Sequence, residues 1–462
     1  MLITDIAKVL KEEDIPLIIN TAFDLLAETG VCIENIELLD ILSGHGARID
    51  KNTLTAKFPK KLIEETLATA DKTDWQAMCP SFSAYAAIYQ GYFLDPLDNE
   101  FKEWSLERIL TYATLAKALP HIDSISMLGF PAAETDIHKQ PLLEKYICWK
   151  YDISGGSAIW AMEFCPQIEE MWHVYAAWQG KTVNDVFNGT VYMISPLRFS
   201  KEESEQFMYF YKKGIRVGVG KMGSLGVTAP ITKAGALAMQ LAEGIFLHLL
   251  NRFCFNDKRF HLNCSMSVMD MRTSTFQFGR PEQISMNIAS AQIAKALGAS
   301  YSGHEGLSSA QKPGYESAGQ KVYSAVMGAM AYGRGSIEAG LLSVDEVYSP
   351  IQMILDDEMT GAIKGAFGEI TVNDETLAFE VMKEVGPGGS FIAHEHTAEH
   401  VRESLWVPSV WTKESFNAWK KEGGKTEIDR AVDKYMALTA KTTPPAMPEE
   451  VEKELLAIIN KY

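Results

Sequence analysis

An alternation of chain types constrains this fold more than any other feature. From Ser105 onward, short apolar runs are separated by helical stretches of about 12–20 residues, with glycine or proline at many junctions. The runs Ser124–Leu128, Ser157–Met162, Thr190–Ile194, Arg216–Gly220, His261–Ser265, Ser300–Gly303 and Ser336–Ala339 read as strands. The helices between them are Leu106–Ala118, Pro141–Tyr151, Pro166–Gln179, Lys201–Lys213, Lys233–Arg252, Pro281–Leu297 and Gly314–Tyr332. Such alternation implies a parallel sheet, because parallel neighbours need a crossover and a helix usually supplies it. No G-x-G-x-x-G opens a helix after the first strand, which counts against an open dinucleotide-binding sheet. Seven regular units and one unplaced strand favour an α/β fold of the (β/α)8 TIM-barrel type. The missing strand belongs either to the residues before Ser105 or after Gly361.

Three segments follow. Residues 1–104 read as a helical lead-in packed on the barrel, 105–370 as the barrel and 371–462 as a helical C-terminal extension. In the lead-in, Ile15–Thr29 carries Ile18, Ala22, Leu25 and Leu26 along one face and ends at Gly30, a suitable C-cap. Tyr85–Leu94 reads as a strand or hairpin arm closed by a turn at Asp95 and Pro96. In the tail, Trp411, Phe416 and Trp419 offer apolar contacts to the barrel, and Thr442–Pro448 is a proline-rich break before a last helix.

Composition removes several functional classes. With 47% hydrophobic residues in 462, the chain can bury a large core and is not disordered. Forty-three basic against 60 acidic residues leave a net charge of −17 and no run of five Lys/Arg. Nucleic acid is repelled by such a surface, so small molecules and proteins are the expected ligands. The six cysteines have no C-x-x-C pair, which fits reduced thiols in a cytoplasmic protein. Met1–Asp14 lacks the basic and apolar regions of a signal peptide, and no uncharged apolar run reaches membrane-spanning length. A cytoplasmic location without membrane attachment is expected.

Parallel barrels place their chemistry at the C-terminal ends of the strands. By that rule the candidates are Trp160, Glu163 and Phe164; Tyr192, Ser195 and Pro196; Lys221 and Met222; Met269, Asp270 and Arg272; His304 and Glu305; and Glu338 with Tyr348. Aromatic faces attract a quaternary ammonium. Glu163, Glu305 or Glu338 add Coulomb attraction, while Lys221, His304 and Arg272 suit a carboxylate. A zwitterionic ammonium acid satisfies both sets. Against this stands the ordinary fate of aromatics at strand ends, which is to pack. Gly386–Ser390 is glycine-rich but lacks the G-K-[ST] of a phosphate loop. His394, His396 and His400 have spacings open to metal ligation, but no carboxylate completes a familiar triad, and capping with loop packing competes. No G-x-S-x-G is present, and no cysteine adjoins a histidine at an obvious site.

Several segments together resemble the trimethylamine methyltransferase family. They are Ser195-Pro196-Leu197-Arg198-Phe199, Gly226-Val227-Thr228-Ala229-Pro230-Ile231-Thr232 running into Ala234-Gly235-Ala236-Leu237-Ala238, and Ser267-Val268-Met269-Asp270-Met271-Arg272-Thr273. Next come Gln311 with Gly314-Tyr315-Glu316, Leu355-Asp356-Asp357-Glu358, Glu384-Val385-Gly386-Pro387-Gly388-Gly389 and the three histidines. All lie in the family's order over about residues 105–440. The resemblance implies a TIM barrel that moves a methyl group from an amine nitrogen to the cobalt of a corrinoid. A separate cognate corrinoid protein carries that cob(I)alamin, so no tightly bound cofactor is implied on this chain; a homo-oligomer is. Some members use pyrrolysine and trimethylamine. This chain has no pyrrolysine, and Ser302–Ser309 runs through the corresponding region without a gap.

That absence points to quaternary amines. A quaternary nitrogen leaves as a neutral tertiary amine and needs no general acid, only in-line positioning and exclusion of water. Glycine betaine is the first expectation, with proline betaine and carnitine as alternatives. Lys221 and His304-Glu305 depart from the family pattern and put polar groups at the expected mouth. Lys221 or His304 is therefore expected to meet a substrate carboxylate. Trp160, Tyr192 and Tyr348, with Glu305 and Glu338, are expected around the ammonium. Asp270, Arg272, Gln311 and Tyr315 belong to the shared motifs without an assigned role. Two other readings are a metal-dependent barrel hydrolase built on the histidines and a betaine-binding module without catalysis.

Overall fold

A computed structural model describes residues 7–132 and 135–461. Its centre is a set of parallel strands: β1 Ser81–Ile88, β2 Ile122–Met127, β3 Ser154–Gly155, β4 Thr190–Ile194, β5 Gly218–Leu225, β6 His261–Asn263, β7 Met266–Asp270, β8 Ser300–Ser302 and β9 Arg334–Ala339. Helices α1 Leu106–Ala118, α2 Gln140–Lys150, α3 Cys165–Trp178, α4 Lys201–Lys212, α5 Lys233–Phe255, α6 Pro281–Leu297, α7 Tyr315–Tyr332 and α8 Pro350–Ala366 fall between or after them. The fold is thus mixed α/β with parallel sheets, as the alternation requires.

The hydrogen-bonded ladders come in three pieces. β9 pairs with β1, β1 with β2 and β2 with β3, all parallel. β4 pairs with β5 and β5 with β7, again parallel. β6 pairs with β8. Single bonds span the intervals. Thr190 N–H donates to Ser157 O at 2.6 Å and Glu338 N–H to Gly306 O at 3.1 Å. Below the point where Gly223 pairs with Met266, no ladder joins β5 to β6; the ammonium of Lys221 reaches across instead, to Asn263 O at 3.2 Å.

A parallel strand outside the regular series is β1, within the expected lead-in, where the expected arm Tyr85–Leu94 covers its second half and the short strand Tyr92–Leu94. Its run Ser-Phe-Ser-Ala-Tyr-Ala-Ala-Ile is rich in alanine and serine, so it carries little of the β-branched signal that marks a strand. Residues 1–104 are accordingly not all helical. Val31–Ile33 is a further strand, parallel to Arg198–Phe199. The expected strand Ser157–Met162 does not form: the strand lies just before it, at Ser154–Gly155, Ala158 makes only a single bridge to Thr190, and the chain turns into a short helix at Met162–Phe164. Gly156 lies so close to the Glu144 carboxylate and Met127 O that no side chain fits there.

Most of the apolar core lies where the helices meet the outer faces of the strands. On β4, Val191 and Met193 are buried while Thr190, Tyr192 and Ile194 point the other way, the period-2 pattern of a strand with two different faces. The long helix α5 is largely buried, and the helix Ile15–Asp24 packs along it. Glu358 anchors the returning C-terminal chain by accepting from the backbone of Ser409, Val410 and Trp411. The expected aromatic anchor differs: Phe416 and Trp419 mainly stack on each other, 5.9 Å between centroids. No helix among the described residues is long and apolar enough to cross a membrane.

Candidate active site at the strand ends

Two carboxylates meet where β8 and β9 end. Glu305 is buried and accepts from Tyr332 Oη at 2.6 Å and Ser336 Oγ at 3.2 Å. Burial pushes its carboxyl up to about 7; the two hydroxyl donors oppose this and the neighbouring Glu338 charge adds to it. Glu338 is likewise pushed up to about 7 by burial, against the pull of the Lys321 ammonium. Tyr89, just past the end of β1, lies within the field of Glu338, Asp345 and Tyr192, and burial is the main reason its phenol is held above the usual range. Tyr192 is 46% exposed on the inner face of β4, its ring lying directly over Gly220 of β5, where a Cβ would collide with it. Two carboxyls that titrate near neutrality thus lie near two phenols at the strand ends.

A buried ion pair holds the end of β9. Lys321 and Asp356 have fully buried side chains, 2.7 Å apart. The Lys321 ammonium also donates to Glu338 O at 2.6 Å, while Asp356 accepts from Gly340 N–H and Gln352 Nε2, each at 2.8 Å. Every charge in the cluster has partners, the condition under which a buried pair is tolerable. This explains the Leu355-Asp356-Asp357-Glu358 motif structurally. Asp356 fixes β9, Asp357 accepts from His121 N–H at 2.8 Å, and Glu358 holds the returning chain.

The other expected residues divide. Trp160 is half-buried beside Gly129 and donates to Glu144 Oε2 at 3.2 Å, on a site braced by Lys145, which donates to Gly156 O. His304 lies against Phe278 edge to face, its Nδ1 buried with no hydrogen-bond partner among the described residues. Burial takes it down to about 4, so the ring is neutral at physiological pH. Two bets need correction. Lys221 points outward between β5 and α5, not into the mouth: it is 2% exposed, bonded to Asn263 O, and faces Glu243. Its burial lowers the ammonium to about 8. Tyr348 is also buried, packed with Phe93, Trp104 and Tyr112 in an aromatic cluster.

The remaining motif residues stand on the surface. Asp270 and Arg272 pair with each other, and Arg272 leaves its guanidinium in water. Gln311 is exposed, and Tyr315, at 97% exposure, opens α7 without touching the carboxylates. Glu163 is exposed and faces His138 at 3.9 Å. Of the histidines, His394 caps its helix by accepting from His396 N–H, the rings of His396 and His400 pack at a tilt with centroids 4.4 Å apart, and His400 pairs with Glu403 at 2.6 Å. No group of three or more His, Cys, Asp or Glu among the described residues is arranged to hold a metal ion.

Sequence reasoning missed Tyr89 and Lys321. Tyr89 follows from the same strand-end rule once β1 is recognised as a sheet strand. Lys321 gives no signal, since a lysine inside an amphipathic helix is normally solvated.

The loop after β5 is built for a tight bend. Gly226 has φ +83°, and the N–H groups of Val227, Thr228 and Ala229 converge on Ser224 O at 3.0–3.1 Å. Met271 and Ile231 close over Gly226, leaving no room for a side chain. Both are more than half exposed, as are Met222 and Val227. The strand ends therefore carry an apolar rim.

The sequence profile described as trimethylamine methyltransferase (MTTB) matches residues 3–462. The chain is 25% identical to a trimethylamine methyltransferase MttB from Desulfitobacterium hafniense, over 97% of this chain and 93% of that one. It is 23% identical to a glycine betaine methyltransferase from another strain of that species, over 98% and 96%. A monomethylamine methyltransferase (MtmB) structure from Methanosarcina barkeri covers 98% of this chain and 96% of its own, at 10% identity and a TM-score of 0.41.

Proposed function

The chain belongs to the trimethylamine methyltransferase family and is a methyltransferase; from that premise we propose that it demethylates a quaternary amine, with glycine betaine first among candidates. The observation that carries the reading is the coupled pair Glu305 and Glu338 beside Tyr89 and Tyr192. Ionised, the pair offers negative charge to a permanent cation; the phenols offer their faces. Neither group is needed as an acid. The C–N bond breaks with its electron pair on nitrogen, and a neutral tertiary amine departs. The methyl passes to the cobalt(I) of a corrinoid, which a partner protein brings as second substrate. This chain's tasks are to hold the N–CH3 axis toward the opening and to keep water out.

The rim supports docking of that partner. Met222, Val227, Ile231 and Met271 cluster at the strand ends, where an exposed apolar patch marks a binding surface. The bridging bonds from Thr190 to Ser157 and from Glu338 to Gly306 favour reading the three ladders as one closed (β/α)8 barrel, with the site at its C-terminal mouth. The substrate's carboxylate has one candidate partner fewer than the sequence promised, since Lys221 faces away. The neutral ring of His304 remains as a hydrogen-bonding group. Proline betaine and carnitine stay as alternatives, and the assay must separate them.

The test mixes the protein with a corrinoid protein in the cob(I)alamin state and adds glycine betaine, proline betaine, carnitine, choline and trimethylamine in turn. Conversion of the cob(I)alamin spectrum to that of methylcob(III)alamin with one quaternary amine is expected. No change with any quaternary amine, using a partner competent with another methyltransferase, overturns the reading.

A further inference from the structure

Parallel barrels are normally filled by bulky branched side chains on the inner faces of their strands. Here those faces carry few. On β9 and β1 the paired inner residues are Arg334 with Ser81, Ser336 with Ser83 and Glu338 with Tyr85. On β4 and β5 they are Thr190 with Gly218 and Tyr192 with Gly220. On β6 and β8 they are His261 with Ser300 and Asn263 with Ser302. Alternate residues of the same strands, such as Phe82, Val191, Leu262 and Ile337, face the helices and are buried. Each of the inner residues keeps some contact with solvent, and Tyr85 and Tyr192 are 39% and 46% exposed. Serine and glycine thus recur where a packed interior needs branched side chains.

The inner face is also reached from below, at the N-terminal ends of the strands. A cavity of about 440 Å³ lies there, where β5 and β6 part, and its wall includes His261, Asn263 and Ser300. The His261 ring bridges the hydroxyls of Ser300 and Ser302 at 2.9 and 3.0 Å. Lys72, Arg216 and Arg259 line the same cavity against Asp71 and Asp257, and Arg334 stands on the lowest rung of β9. The lower end therefore carries an excess of positive charge, while the carboxyls Glu305 and Glu338 occupy the upper end. A bare cation is repelled below; a zwitterion, whose charges cancel, is not. Methyl transfer needs the cobalt at the mouth, so a docked partner closes that end for the length of the reaction. A second opening lets amine exchange without undocking.

We propose that the strands enclose a polar bore open at both ends, and that a zwitterionic amine enters and its demethylated product leaves by the lower end while the corrinoid protein covers the mouth. The passenger and the covered mouth rest on the methyl-transfer reading; the bore rests only on the three ladders closing into one barrel. The test places a thiol on the wall of the bore as Ser302→Cys. Methyl methanethiosulfonate passes a methylthio group to a thiolate and releases methanesulfinate, and mass spectrometry reads the label at position 302. Exposed Cys79 is the positive control, and buried Cys148 and Cys264 should stay unlabelled in every folded variant. Ile194→Trp/Met222→Trp narrows the upper end and Ser81→Phe/Thr190→Phe the lower. Either pair alone should leave the labelling rate within about threefold, and both together should slow it by about tenfold or more. Protection by the upper pair alone, or none by both, overturns the bore. With the upper pair in place, a trimethylammonium reagent should label about tenfold more slowly than the neutral one, each scaled to Cys79. Equal rates overturn the preference for zwitterions. None of these outcomes needs a partner or methyl transfer, so failure of the bore is distinct from failure of that reading. With a competent corrinoid protein and the accepted amine, the wild-type rate should plateau as partner concentration rises. The Ser81→Phe/Thr190→Phe variant should instead fall several-fold from its maximum, and a variant that keeps the wild-type plateau overturns the traffic. Transfer from no amine at all removes the passenger and leaves the bore to be decided by labelling.

Discussion

Glu338 and Glu305 set the response of the site to protons. Both carboxyls sit near 7, and they titrate as a coupled pair. A permanent cation should therefore bind more tightly as pH rises through about 7, by roughly tenfold, which is about 1.4 kcal/mol. Calorimetric titration of the quaternary substrate between pH 6 and 8 measures this, and Glu338→Gln should flatten the profile. The same groups affect stability with a definite sign. Each is raised in the folded state from an ordinary value near 4.5, so the protonated form favours folding. That contribution is full below pH 4.5 and is lost as pH climbs toward 7. The buried Lys321 makes a different demand. Lys321→Met leaves Asp356 as an unpaired buried charge and should cost about 3–5 kcal/mol in denaturant unfolding. Adding Asp356→Leu should recover much of the loss, because the orphaned charge goes with it.

Among the elements, the strands and their loops are where sequence and structure part. The helices were legible to within a few residues because amphipathic spacing, proline starts and glycine stops agree. β1 was legible only in its second half, inside the expected arm Tyr85–Leu94, because Ser81–Ile88 is built mostly from small residues whose strand character comes from its neighbours β9 and β2. The contrast between Lys221 and Tyr192 has a similar origin. Both were expected at strand ends, but Lys221 lies mid-way along Gly218–Leu225 and Tyr192 mid-way along Thr190–Ile194, and which face a side chain takes depends on a register that a one-residue shift reverses. The glycines make this testable. Gly220→Ala pushes a methyl group into the Tyr192 ring and should raise KM for the quaternary amine several-fold while the unfolding midpoint stays nearly unchanged. Gly226→Ala combines a positive φ with a collision against Met271 and Ile231, and should impair transfer to the corrinoid protein more than substrate binding. Comparing transfer at rising partner concentration with direct ligand titration separates the two effects.

At the scale of the whole molecule, the site is assembled from distant parts of the chain. Tyr89, Tyr192, Glu305 and Glu338 converge only because their strands are neighbours, so the strand-end rule could nominate candidates but could not group them. The excursion between Gly368 and Trp406, in which no residue from 369 to 405 is buried, is the counterpart to this long-range assembly. Its departure and return share one anchorage: the Gly365 position lies 3.5 Å from the Trp406 Cβ, with the exit only a few residues beyond. In topological terms the excursion is an insert whose two ends meet on one helix. A short turn spliced from Gly368 to Trp406 would leave every strand and its order in place. The excursion and the strand ends can therefore diverge independently, one changing in length or sequence while the other keeps its geometry.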